Sequence, residues 1–341
     1  MYERISQVGE GTYGQVFKAR GEKTGVVVAL KKIRMESEKD GFPVTAMREI
    51  KLLQGLRHPN VVRLHEMMLS KNSIYMVFEY LEHDLNGILS QPTVLFEPCH
   101  LKSLASQLLS GLAYLHHRSI LHRDLKGSNL LLNNAGVLKL ADFGLARSYM
   151  KRKRGDYTNR VVTLWYRPPE LLLGATQYGA AVDVWGAGCI FLELFTRKPV
   201  LQGQDEIDQV KVLFEMLGRY GQGGGDGVDE EWPEMRNLPW YDLSLFSKYA
   251  PSDALDVVDR LLHFDPAKRA SAAEVLELPY FAANEPKAER PARVLSAVEG
   301  EWHEYESRRA RRQKIIQQRE EQHQPQEDSM TLTDDKREAS A

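Results

Sequence analysis

The chain has 341 residues, 43% of them hydrophobic and 27% charged, which is ample apolar material for one large domain or two. A formal net charge of −2 excludes a global pull toward nucleic acid or anionic lipid, so any electrostatic role must come from local clusters. No run approaches the roughly 18 apolar residues of a membrane span and no apolar leader core opens the chain, so an intracellular protein is expected. Cys99 and Cys189 lie far apart without metal-ligand spacing and read as packing residues of a reducing compartment. Met1-Tyr2-Glu3-Arg4 runs almost at once into a glycine-rich string, which leaves open an abrupt start or a preceding region.

From Ile5 to Leu85 the pattern is mainly short β-type runs, Val26 to Leu30 and Ile74 to Phe78 among them, with one helical stretch from about Val44 to Leu56. From Pro98 the periodicity turns helical through Leu101, Leu104, Ala105, Leu108 and Leu112, and again from Asp183 to Phe195. Gly221 to Gly227 reads as a surface loop within that helical part. After Tyr280-Phe281 the apolar pattern fades into a charged, Gln-rich tail with a basic run from Arg308 to Lys314, so the folded core is expected to end there. The expected organisation is α+β in three parts: a sheet-rich lobe over residues 1–79, a helical lobe over 80–282, and a charged extension over 283–341, partly helical or disordered.

Gly9-Glu10-Gly11-Thr12-Tyr13-Gly14-Gln15-Val16 fits G-x-G-x-x-G-x-V, where missing side chains let backbone approach phosphate oxygens. A dinucleotide turn would open a helix after such a string. Here Val16-Phe17 continues as strand, which predicts a β-hairpin lid. Val28-Ala29-Leu30-Lys31 matches a V-A-x-K strand whose lysine can pair with phosphates if a carboxylate holds it, and Glu49 on the following helix is the matching carboxylate. His122-Arg123-Asp124-Leu125-Lys126-Gly127-Ser128-Asn129 fits H-R-D-L-x-x-x-N and resembles no core pattern. In that loop Asp124 would accept or orient the proton of a hydroxyl substrate. Asn129, with Asp142 of Asp142-Phe143-Gly144, would supply hard oxygen ligands to Mg²⁺.

These strings, in this order, resemble protein kinases over residues 1 to about 282, and the resemblance implies the bilobal kinase fold with ATP as phosphoryl donor and Mg²⁺ as cofactor. Lys126 implies a serine/threonine rather than a tyrosine kinase. The catalytic set it implies is Asp124, Lys126, Asn129, Lys31 and Glu49. Nucleotide contacts carried over by position are Val8, the glycine-rich string from Gly9 to Val16, Ala29, Lys31, the gatekeeper Phe78, the hinge at Glu79-Tyr80-Leu81, Asp84 and Leu131. Glu170 of Arg167-Pro168-Pro169-Glu170 is expected to pair with Arg269 as a fold support, and Asp183 to anchor the catalytic loop.

Pro43-Val44-Thr45-Ala46-Met47-Arg48-Glu49 is similar to the cyclin-docking helix of cyclin-dependent kinases, which in that family is displaced when free. The resemblance thus implies a cyclin partner and a monomer in which Glu49 does not yet meet Lys31. Tyr157 to Arg167 resembles the activation segment of the transcriptional branch. It implies an activating phosphate on Thr158 placed by an upstream kinase, clamped by Arg48, Arg123 and Arg147, and a pocket for substrate proline near Val162. Thr12 and Tyr13 match inhibitory phosphorylation positions of cell-cycle relatives.

Phe42-Pro43-Val44-Thr45, Lys126 to Asn129 and Tyr157 to Arg160 resemble most the catalytic subunits of the fungal CTD kinase I type and their metazoan elongation-kinase relatives. Those act on the carboxy-terminal repeat of RNA polymerase II, which implies a nuclear protein with no membrane role and no sequence-specific nucleic-acid binding. Gly179 and Asp183 to Cys189 are also similar to the positive-elongation-factor kinase, and a cell-cycle kinase or a non-catalytic pseudokinase scaffold stays open. Trp302-His303-Glu304 and the basic run beyond resemble a tail extension that packs toward bound ATP. Lys151-Arg152-Lys153-Arg154 departs from the family and reads as a localisation patch, a solvated loop, or an anion site favouring already phosphorylated repeats.

Overall fold

In the computed structural model, which describes residues 1–11, 14–33, 44–70, 73–149, 157–217 and 243–305, the N-terminal part is a five-stranded antiparallel sheet. Its strands are β1 (Tyr2–Gly11), β2 (Gly14–Gly21), β3 (Val27–Ile33), β4 (Leu64–Ser70) and β5 (Ser73–Glu79), in the order β1-β2-β3-β5-β4. β1 and β2 pair up to Gly11 opposite Gly14, so the glycine-rich string is a hairpin as its flanks predict. On β3, Val28 and Leu30 pack with Ala19, Tyr75 and Val77 on one face. Strand alternation therefore sends Ala29 and Lys31 to the other. The single helix here, α1 (Val44–Gln54), buries Ala46, Ile50 and Leu53, one stripe at helical spacing.

The chain continues through β6 (His83–Asp84), α2 (Leu85–Leu89) and the long α3 (Pro98–His117). α3 starts with proline in its first turn and a reciprocal cap between Glu97 and His100. Short strands β7 (Ile120–Leu121), β8 (Leu130–Leu132), β9 (Leu138–Leu140) and β10 (Arg147–Ser148) carry the loops of the site between them. The rest is helical: α4 (Pro169–Leu172), α5 (Ala181–Thr196), α6 (Glu206–Leu217), α7 (Leu255–Leu261), α8 (Ala272–Leu276), α9 (Pro279–Ala282) and α10 (Ala292–Ser296). α5 is apolar on all sides and correspondingly buried from Val182 to Leu194. The main core runs without a break from Ile50 and Leu53 through Leu104 and Leu108 to Val257 and Leu261, joining the two halves.

Both cysteines are free, Cys189 buried and Cys99 half-buried. Among the described residues no helix is long and apolar enough to cross a membrane. The segments Gly221 to Gly227, Lys151 to Arg154, Phe42-Pro43 and Arg308 to Lys314, together with Thr12 and Tyr13, lie outside the described residues.

The core does not end near Phe281: Leu295 is fully buried and His303 is 6% exposed. The apolar pattern fades to a few isolated residues, Val294, Leu295, Val298 and Trp302, which pack on the core while polar bonds fix the backbone between. Lys102 Nζ donates to the Asn284 carbonyl at 3.0 Å and the Glu289 N–H to the Cys99 carbonyl at 3.2 Å.

Candidate active site

Between the sheet and the helical part lies a cleft of about 540 Å³. Val8, Val16, Ala29 and Leu131 give it apolar walls, Phe78 stands at its rear, and Glu79-Tyr80-Leu81 runs along one edge. Gly9, Glu10, Gly14 and Val16 of the glycine-rich string line it, whereas the Gln15 side chain does not. Alternation puts the Gln15 side chain on the sheet face opposite Gly14 and Val16.

At the inner end of the cleft Lys31 Nζ lies 2.8 Å from Glu49 Oε1 and 2.9 Å from Asp142 Oδ1. Burial works against a charge on Lys31, yet Asp142 and Glu49 outweigh it and its pKa is raised. Burial opposes ionisation of Asp142 too, but Lys31, His122 and Lys126 pull its pKa below the usual carboxylate value. Glu49 is only 4% exposed. Its burial raises its pKa against the pull of Lys31. The displaced α1 expected of an isolated chain is therefore not what the structure has. The Ala46, Ile50 and Leu53 stripe seats the helix in the main core, and Glu49 already meets Lys31.

Asp142 sits at φ 58°, a left-handed conformation that costs a non-glycine residue about 1–2 kcal/mol. The residue after it, Phe143, is fully buried edge-on against His122, with ring centroids 5.1 Å apart, and this packing keeps Asp142 turned into the cleft.

The loop between β7 and β8 gathers the remaining groups. Asp124 Oδ2 accepts from Lys126 Nζ at 2.9 Å and from Asn129 Nδ2 at 2.9 Å, while its Oδ1 accepts from Thr163 Oγ1, also at 2.9 Å. Asn129 Nδ2 also donates to the Asp124 carbonyl at 2.7 Å, leaving its Oδ1 as the remaining acceptor beside Asp142 in the cleft lining. Thr163 was not singled out from sequence; its signal is only its place in the Val161 to Arg167 string.

The loop is fixed from below. Asp183, at 1% exposure, accepts from the backbone N–H groups of His122 and Arg123, both at 2.8 Å, and bonds His116 Nε2 at 3.0 Å. Burial opposes its charge, but these donors hold its pKa below the ordinary value. Glu170 and Arg269 form a buried two-pronged pair at 2.6 and 2.7 Å. Arg269 also donates to the carbonyls of Ala181, His263 and Phe264, so its charge is fully hydrogen-bonded.

The outer rim is closed by residues 301–305. The Asp84 N–H donates to the Trp302 carbonyl at 3.0 Å, the Trp302 N–H to His83 Nδ1 at 3.1 Å, and the Glu304 N–H to Asp84 Oδ2 at 2.7 Å. Asp84 Oδ1 caps α2 by accepting from the Gly87 N–H at 2.7 Å. Asp84 thus lines the cleft, but backbone donors engage both of its oxygens. Glu301 bridges the halves, pairing with Lys18 of β2 and accepting from the Tyr80 hydroxyl at 2.8 Å. A Cβ on Gly87 would fall 2.2 Å from the Trp302 carbonyl oxygen, so only glycine lets the segment lie this close. His303 and Glu304 both line the cleft.

Of the arginines expected around Thr158, the structure brings Arg123 and Arg147 together. Arg123 reaches Tyr178, and Arg147 lies 4.9 Å from the centre of the Tyr157 ring. Arg48 is exposed on α1, and no described contact joins it to them. Val162 is left-handed at φ 65°; its N–H donates to the Arg123 carbonyl, and its own carbonyl accepts from Arg167 at 3.1 and 3.2 Å.

The cleft fits a nucleotide and a divalent cation. Apolar walls suit an adenine ring, Lys31 faces the inner end where phosphates would lie, and Asn129 and Asp142 offer hard oxygen donors. Among the described residues no three His, Cys, Asp or Glu side chains are arranged to hold a metal alone. Two donors plus phosphate oxygens suffice for magnesium.

The protein kinase domain family model matches residues 2–281. The chain is 52% identical over 320 residues to the CTD kinase subunit alpha of Schizosaccharomyces pombe, a match covering 90% of this chain and 53% of that protein. It is 46% identical to human cyclin-dependent kinase 9, over 82% of this chain and 80% of the relative. Among solved structures it resembles a chain of the yeast RNA Pol II CTD kinase CTDK-1 complex, with TM-score 0.75 and 44% identity, covering 85% of this chain and 95% of that one. The chain therefore belongs to the protein kinases, and among them to the cyclin-dependent kinases. It spans about half the length of the fission-yeast relative. Membership brings with it ATP and a divalent cation.

Proposed function

We propose that this chain is the catalytic subunit of a cyclin-dependent, proline-directed serine/threonine kinase that phosphorylates the heptad repeats of RNA polymerase II in the nucleus during transcription elongation. The observation that carries the reaction is the joined set of Lys31, Glu49 and Asp142 sharing one cleft with Asn129, whose amide is bonded to Asp124. Bound Mg²⁺ would neutralise charge on the ATP phosphates, with Asn129 and Asp142 as its protein ligands. Lys31 would hold the α- and β-phosphates. Asp124 would orient the substrate hydroxyl and take its proton as that oxygen bonds to the γ-phosphorus and the bond to the β–γ bridging oxygen breaks, releasing ADP, with Lys126 balancing charge beside it.

The Val162 backbone supports the preference for proline after the target residue. Both of its polar groups are bonded inside the chain, so a substrate N–H reaching it would find no acceptor, and proline has none to satisfy. The α1 sequence supports a cyclin partner, whose role in this reading is to hold α1 where it already docks. Thr158, phosphorylated by an upstream kinase, would supply the anion that Arg123 and Arg147 lack among the described residues, with Arg48 joining on activation. Repeat phosphorylation is supported by the relatives that carry the CTD kinase name. The positive-elongation-factor type is the second reading, supported by the identity to human cyclin-dependent kinase 9.

The test is phosphate transfer from ATP·Mg²⁺ to a repeat peptide by the chain co-expressed with candidate transcriptional cyclins, with Asp142→Asn as control. Activity should need both a cyclin and Asp142 and should favour the repeat over a histone peptide. Strong histone phosphorylation with little repeat activity would move the assignment to cell-cycle kinases, and no transfer with any cyclin would favour a scaffold.

A further inference from the structure

The segment that carries Thr158 is tied to the helical core by a phenol that the sequence reading passed over. The Tyr178 hydroxyl donates to the Thr158 carbonyl at 2.8 Å and accepts from Arg123 Nη1 at 3.1 Å. A phenol has one proton and lone pairs to spare, so this oxygen serves both neighbours at once. Arg123 Nε is bound to the Leu145 carbonyl at 2.8 Å, which aims the rest of the guanidinium at Tyr178.

Next to this relay, the Tyr157 ring packs on Tyr178 with centroids 5.3 Å apart and takes Arg147 on its other contact at 4.9 Å. The Tyr157 N–H donates to the Thr176 carbonyl at 2.8 Å, a second tie to the same loop. That loop is rigidly held: Gly174 turns it at φ 93°, and the Ala175 N–H donates at 2.9 Å to the carbonyl of Glu170, the residue locked by Arg269. Neither Arg123 nor Arg147 meets a carboxylate among the described residues. Aromatic groups thus occupy the neighbourhood that an anion on Thr158 would enter.

We infer that Tyr178 is a positioning residue: its hydroxyl holds Arg123 and the Thr158 backbone in the active arrangement before Thr158 is phosphorylated. This rests on reading Thr158 as the activating site. Once a phosphate binds Arg123 directly, the relay becomes redundant, so the residue governs how active the unphosphorylated enzyme is. A packing role would behave differently, because it would be needed in both states.

Tyr178→Phe removes one oxygen and keeps the ring. In the cyclin complex, kcat/KM for a repeat peptide is measured on Thr158-phosphorylated and phosphatase-treated preparations, with occupancy checked by mass spectrometry. The variant should lose about tenfold in the dephosphorylated enzyme, mainly in kcat, and less than about twofold in the phosphorylated one, as expected for one charge-assisted bond that a stronger one replaces. Hydrogen exchange of the Thr158 to Arg160 amides should quicken only without phosphate. A loss of equal size in both states, or in neither, overturns the inference. A wild-type chain indifferent to dephosphorylation would instead strike the reading of Thr158, and the relay would then stand or fall on Tyr178→Phe against wild type in the dephosphorylated complex alone.

Discussion

Two clusters of positive charge in this molecule are built in opposite ways. Around Lys31 the cation meets two carboxylates at bonding distance in a buried place, so its charge is matched by the fold itself. Around Thr158 two arginines meet a carbonyl, a phenol and a ring face, so their charge is left open to an anion. The first arrangement can be complete as soon as the chain folds. The second can be completed only by a later chemical event, which makes it the place where activity can be set from outside.

Five experiments would break or sharpen that contrast. The largest effect should come from a third pair that is matched but distant from the chemistry: Arg269→Ala strands Glu170 in the core and should cost about 3–5 kcal/mol in denaturant-measured stability. Less than about 1 kcal/mol would show that Glu170 finds another partner. Lys31→Met should leave the chain folded and lower phosphate transfer about 10²–10³-fold, the size of losing one positioned charge from a transferring phosphoryl group. A mild loss would mean that Lys31 does not face the phosphates.

Thr158→Ala should reduce kcat of the cyclin complex at least about tenfold relative to the phosphorylated enzyme, since charge-assisted bonds to arginine are each worth about 1.5–3 kcal/mol. Equal rates would leave the open cluster without a function. Truncation after Arg290 removes the Glu301 bridge and the His303-Glu304 rim, and should raise the KM for ATP about threefold to tenfold, the size of one ordinary hydrogen bond of about 0.5–1.5 kcal/mol. An unchanged KM would separate the tail from the nucleotide.

The smallest effect is a change of pH slope. Burial pushes Asp84 up to about 7, so the folded chain keeps a proton that the unfolded one has released, and stability falls as pH rises from about 4 to about 7. Burial pushes His303 down to about 4 from its ordinary 6.5, so stability falls as pH drops through that interval. The groups lie 3.8 Å apart and their slopes oppose. Denaturation of His303→Gln across this window should expose the Asp84 slope, and a profile parallel to wild type would sink the assignment.

Much of the site was legible because certain side chains have no other reason to stand where they do. A lysine on a strand of valine, alanine and leucine, or the run His122 to Asn129, cannot be explained by packing, and the structure brings Lys31, Glu49, Asn129 and Asp142 to one cleft, with Asp124 bonded to Lys126 and Asn129 of its lining. The docked α1 was missed because a family habit was applied to a helix whose apolar stripe is long enough to seat it. Tyr178 and Glu301 were not readable at all: each acts through a partner distant in sequence, and a lone tyrosine or glutamate carries no pattern, while Thr163 had only its place in the Val161 to Arg167 string. Asp84 lines the cleft as its motif position implies, but its Oδ1 is bonded by Gly87 and its Oδ2 by the tail, which no sequence pattern announced.

Gly87 has a consequence that reaches beyond α2. With the Trp302 carbonyl 2.2 Å from where a Cβ would stand, the choice of residue at this one site decides whether a stretch of chain made far later has anywhere to lie. A lineage that replaced it would have to reroute its tail or let it go. In this chain the absence of one methyl group on α2 is therefore the condition for a C-terminal segment to sit at the mouth of the cleft.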